Sequence, residues 1–166
     1  MNELIFLNRA LGGAIISERD VGAVLSFNEK TAVRGLVLSK AEAVEAVKAR
    51  SKALYENSRV EVGIGALGRL IEAFSQSTFA APEGWAELVC FLTEEFYYIK
   101  TETHDRISDF ELIRFMFDSF ENFCGGSTDL LADQCDGLIT RLNGGKNTDM
   151  EEALYGNYTD MPDFEW

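Results

Sequence analysis

The glycines Gly63, Gly65 and Gly68, in the stretch RVEVGIGALGRLIEAF from Arg59 to Phe74, spell G-x-G-x-x-G. In a dinucleotide-binding fold that spacing turns the chain tightly, lets a pyrophosphate approach the backbone, and seats a helix against a strand. The context here is different. The candidate strand is only Val60–Glu61–Val62, it follows a helix, and Arg59 and Glu61 alternate into it. Beyond the glycines, STFAAPEGW holds no Val/Ile run, and Glu83 opens a helix where an acidic strand end is required. The spacing therefore reads as a glycine turn entering a helix, with no dinucleotide and no other cofactor. What the turn retains is a helix N-terminus, whose N–H groups attract anions. Arg59, Gly63 and Gly65 form the candidate anion or ligand site.

The other groups with chemical potential read as structural. His104, the only histidine, stands near Glu102, Asp105 and Asp109. Its spacing matches no zinc motif, and the stretch suits an interhelix loop ending in a cap. Glu94, Glu95 and Glu102 read as a solvated helix face, because a carboxylate metal centre in a bundle needs E-x-x-H elements. Cys90 falls on an apolar stripe, Cys124 at a helix C-terminus, and Cys135 mid-helix. None has a histidine nearby in sequence, and a helix C-terminus raises a thiol pKa. No metal is implied, and no residue is assigned a catalytic role.

The elements that must position these groups are helical. Only two prolines interrupt 166 residues. Gly35 suits a helix C-terminus. Ser39 with Glu42, and Ser108 with Glu111, spell capping boxes. Ala43, Val44, Val47 and Leu54 give the helix after Ser39 its apolar stripe, with Lys48, Arg50 and Lys52 assigned to its surface. The glycine turn feeds a helix to about Ser77, and Pro82 suits the first position of the next. There Trp85, Leu88, Leu92, Phe96 and Ile99 share a face, as do Phe110, Ile113, Phe117 and Phe120 on the helix after Ser108. These two helices are expected to pack antiparallel as neighbours. CGG stops the second, and Ser127 or Thr128 caps the last. The predicted class is all-α: one compact bundle of six or seven helices over residues 1–143, with at most a token β-bridge at Val60–Val62 or Leu36–Leu38. An acidic tail follows over residues 144–166, with six acids and, after Lys146, no base.

Three blocks, RVEVGIGALGRLIEAF, ELVCFLTEEFYYIKTE and ISDFELIRFMFDSFENFCGGS, resemble in order and spacing a bacterial family catalogued only as a domain of unknown function. The resemblance runs from about Ser39 to Leu142, and more weakly through the helix ending at Gly35. It implies a bacterial, cytoplasmic protein and carries over no catalytic residue. In the family pattern the third glycine position is not reliably glycine, which also disfavours a dinucleotide.

Charge narrows the function classes. The net charge is −13, with residues 1–60 at +2 and residues 61–166 at −15. Such a field repels nucleic acid and anionic membranes. An odd number of cysteines, three, and an N-terminus without a basic leader fit a cytoplasmic chain without disulfides. The expected role is a non-enzymatic module that binds another protein or itself. The tail's Leu154, Tyr155, Tyr158, Phe164 and Trp166 are expected to contribute to recognition. The alternative is a small-molecule or anion-binding protein, an enzyme among the options, using the turn from Arg59 to Gly65.

Overall fold

Ser17 accepts a hydrogen bond from the Asp20 backbone N–H and opens helix α1, Glu18–Ser26. The computed structural model describes residues 16–144 together with Met150 and Leu154. A short helix α2, Asn28–Thr31, runs into one 3-10 turn, which Gly35 ends in the left-handed region at φ 73°. The Asn28 side chain then holds Leu38 at both backbone groups, accepting from its N–H (2.9 Å) and donating to its carbonyl (2.8 Å). That clamp keeps the connector extended, so Leu36 and Leu38 enter the core while Val37 faces out.

Ser39 caps α3, Lys40–Glu56. After the glycine turn come α4, Ala66–Phe74, and α5, Trp85–Glu102. A complete capping box, with Ser108 and Glu111 each bonding the other's backbone, opens α6, Asp109–Asn122. Gly125 and Gly126, both left-handed, separate it from α7, Thr128–Gly144, where the Ser127 hydroxyl accepts from the Leu130 N–H. The fold is all-α, with no strand among the described residues. Helix α5 is the hub: α3, α4 and α7 pack on it, α6 packs on α4 and α7, and α1 covers α3.

Gly68 packs closely, but not against a strand. A Cβ there would lie 2.9 Å from the Phe27 ring and 3.0 Å from Ile64 Cδ1. The third glycine therefore lets α4 sit against the aromatic residue between α1 and α2.

Several expectations change. Val60 and Val62 are almost fully exposed (94% and 97%), so the β-like triplet is a solvated loop. Helix α4 ends at Phe74, short of Ser77. Pro82 lies ahead of α5, whose entry is made by Gly84 at φ 82°, a conformation proline cannot adopt. Helices α5 and α6 share the core and the Lys100–Asp109 pair but make few close backbone approaches. His104 and Asp105 are both left-handed and redirect the chain, so α6 packs on α4 and α7 instead. A helix pressed between two neighbours buries a broad face: Leu112, Ile113, Phe115, Met116, Ser119 and Phe120 are buried, Phe117 is half-buried, and Phe110 is 73% exposed. The tail beyond Gly144 lies outside the described residues except for Met150, half-buried against the core, and Leu154, buried in it.

Candidate functional site

Arg59 follows α3, and its backbone N–H still donates to the Leu54 carbonyl at 2.8 Å. Its guanidinium is held by both carboxylate oxygens of Asp105, at 3.1 and 2.7 Å. This paired hydrogen bond raises the arginine pKa and, from the other side, lowers that of Asp105. Asp105 also lies 3.5 Å from Lys100 Nζ, which is buried, contacts Asp109 at 2.8 Å and donates to the Ile107 carbonyl at 2.7 Å. The acids around His104 thus neutralise Arg59 and Lys100 and lock the end of α5. His104 itself is exposed. Among the described residues no group of three or more His, Cys, Asp or Glu could hold a metal ion.

Gly63 and Gly65 both take a positive φ, 70° and 51°. Gly65 is also crowded: a Cβ would stand 2.6 Å from Glu61 Oε2, 3.5 Å from the Tyr97 hydroxyl and 3.7 Å from Arg50 Nη2. Gly65 is the N-cap of α4, so the Glu61 carboxylate stands beside the start of that helix, without a cap hydrogen bond to it. Glu61 Oε2 accepts from the Tyr97 hydroxyl at 2.6 Å and lies 3.5 Å from Arg50 Nη2. Burial first, then the bond to Glu61, pushes the Tyr97 pKa up and keeps the phenol a donor.

Arg50 is the residue that sequence reading misplaced. It is 4% exposed, not on the surface, because both α1 and α5 pack on α3. A signal was present: Arg50 falls in register with Ala43, Val47 and Leu54 at helical spacing. Its Nε and Nη2, and Arg59 Nε, are buried without a hydrogen-bond partner among the described residues. Both arginines line a cleft of about 270 Å³ with Asp20, Leu54, Tyr55 and Glu61. Of the three residues singled out in the sequence, Arg59 lines this cleft, whereas Gly63 and Gly65 do not, and Gly65 lies near it only through Glu61.

A family model described as a family of unknown function (DUF6323) matches residues 23–147. The chain belongs to this family. The region matched to DUF6323 contains every cleft residue named above except Asp20. No curated protein and no solved structure matches the chain.

The remaining groups are quiet by comparison. Burial, reinforced by Glu94, pushes the Cys90 thiol up to about 11, and burial also raises Cys124 and Cys135, so none is an activated nucleophile. Cys90 is half-buried, less enclosed than its stripe suggested. Glu94 and Glu102 are exposed, whereas Glu95 is half-buried. Burial first, then Asp136, pushes the Glu95 carboxyl up to about 7. No helix among the described residues is long and apolar enough to cross a membrane.

Proposed function

We propose that this protein binds a small anion in the cleft between α1, α3 and the glycine turn. The observation that carries the reading is Arg50, a buried guanidinium that faces Glu61 at 3.5 Å yet has two nitrogens left without hydrogen bonds. Burying such a charge costs several kcal/mol unless its donors are met, and apolar residues of similar volume often replace buried ions without loss. A ligand that completes the hydrogen bonding accounts for an arginine in this place. Arg59 remains on the wall, largely engaged by Asp105, while Gly63 and Gly65 shape the loop that carries Glu61.

The test is calorimetric titration of the wild type and Arg50→Met with acetate, benzoate and inorganic phosphate in turn. At least one probe is expected to bind the wild type, and Arg50→Met to weaken it about tenfold or more, as loss of charge-assisted bonds requires. Because Arg50→Met also removes the ion pair to Glu61, melting curves of both proteins are recorded to show that the variant is folded. No binding at millimolar probe, or equal binding by the variant, overturns the proposal.

A second reading, recognition of another protein or a second copy of this chain, draws support from the cleft's rim. Tyr55 (66% exposed), Val60 and Val62 are apolar side chains close together in the chain that face solvent. The tail from Gly144 to Trp166 would act here as an added recognition segment. On this reading the wild type sediments as a concentration-dependent dimer, and Val60→Ser combined with Val62→Ser restores the monomer. A wild type that stays monomeric at every concentration removes the self-association form.

A further inference from the structure

Resting on the anion-binding reading above, we infer that Glu61 is a tethered occupant of a carboxylate site, and that the ligand is a small monocarboxylate with an apolar body that displaces it. One oxygen of Glu61 already sits where two attractions meet, the Tyr97 hydroxyl at 2.6 Å and Arg50 Nη2 at 3.5 Å, beside Gly65 at the start of α4. The fit is incomplete. Only Oε2 is engaged with these groups, and neither Nε nor Nη2 of Arg50 gains a hydrogen bond from it.

Those two nitrogens share one edge of the guanidinium. Their N–H bonds point the same way and match the two oxygens of a single carboxylate. With Oε2 turned to Tyr97, Glu61 leaves that fork without a hydrogen bond. A free carboxylate has no such tether and can take both donors.

The charges of the cleft select the ligand class. Asp20 and Glu61 line it beside the two arginines, and Asp105 already balances Arg59. Exchanging Glu61 for one incoming carboxylate leaves the charge around Arg50 unchanged. A phosphate dianion would add a further negative charge beside Asp20. Leu54, Tyr55 and Val60 offer the ligand's body an apolar wall, and about 270 Å³ suits a body no larger than one ring.

The loop is built so that Glu61 can leave. Among the described residues, no backbone N–H from Val60 to Gly65 donates to another backbone group. Val60 and Val62, on either side of Glu61, are in solvent. Ile64 packs against the core at the far end of the loop, so between Val60 and Gly63 the Glu61 side chain is the anchor, and it is itself 29% exposed. An occupant filling the site most of the time weakens an outside ligand in proportion to the fraction left open.

The experiment titrates benzoate, acetate and inorganic phosphate into the wild type, Glu61→Ala, Glu61→Gln and Tyr97→Phe, with melting curves as the folding control. Benzoate is expected to bind Glu61→Ala about tenfold or more tighter than the wild type, as removal of an internal competitor predicts. Tyr97→Phe releases Glu61 Oε2 to turn onto the Arg50 fork, so this variant should bind benzoate more weakly than the wild type. Where Glu61→Ala fails to fold, Glu61→Gln, which keeps the shape and removes the charge, gives the same reading. In the wild type, benzoate should shift the methyl resonances of Val60 and Val62. Binding to the wild type with no gain in either Glu61 variant overturns the displacement while leaving the anion site standing. Tighter binding of phosphate than benzoate overturns the carboxylate assignment. Silence of every probe at millimolar concentration in the wild type instead overturns the anion-binding reading itself.

Discussion

Phe120→Ala is expected to lose about 3–5 kcal/mol of stability in chemical denaturation, and Phe110→Ala no more than about 0.5 kcal/mol. Phe120 is 1% exposed, with its ring centroid 5.5 Å from that of Phe74 on α4 and 6.2 Å from that of Phe79. Truncation removes the buried area and leaves a cavity that two helices, α4 and α7, cannot both move to fill. Phe110 lies ten residues earlier on the same helix and stands in water. The contrast is a direct reading of which face of α6 meets the core. Equal losses at the two positions would place the core on the stripe through Phe110 and Phe117 instead.

Gly126→Ala carries the second large effect, a loss of at least about 2 kcal/mol, from two independent causes. Its backbone is left-handed at φ 82°, which alanine adopts only with strain. A Cβ there would also lie 2.6 Å from Phe79 Cβ and 2.7 Å from Phe79 Cγ. The N–H of Gly126 donates to the Phe120 carbonyl at 3.1 Å, so the turn cannot open without loosening the end of α6. Because the closest overlap is with Phe79 Cβ, the double variant Gly126→Ala with Phe79→Ala should not recover the loss. Recovery would show that the ring, a mobile group, had been the obstacle. A wild-type denaturation midpoint for Gly126→Ala alone would show that the turn rearranges at no cost.

Local physics made part of this protein legible. Serine and threonine ahead of acidic residues, glycine at helix ends and scarce proline act over one turn of chain. They placed the start of α3 at Ser39, the box at Ser108 and Glu111, the stops at Gly35 and Gly125–Gly126, and so the all-α class. The glycine turn was legible in the same way, because a three-residue charged run cannot support a nucleotide-binding sheet.

The depth of each helix was decided elsewhere. A periodic stripe names a face but not how many neighbours press upon it, so Phe110 looked equivalent to Phe120 until α4 and α7 were placed. Arg50 looked like a surface charge between Lys48 and Lys52, although its register already matched Ala43, Val47 and Leu54. Only the covering of α3 by α1 and α5 turned it into a buried cation. Glu61 and Tyr97 stand 36 residues apart, and no local rule relates them. Arg59 and Asp105, 46 apart, pair for the same reason. Side-chain chemistry and local backbone preference are written residue by residue. Which charges leave water, and which partners they then meet, follows from packing between segments remote in the chain.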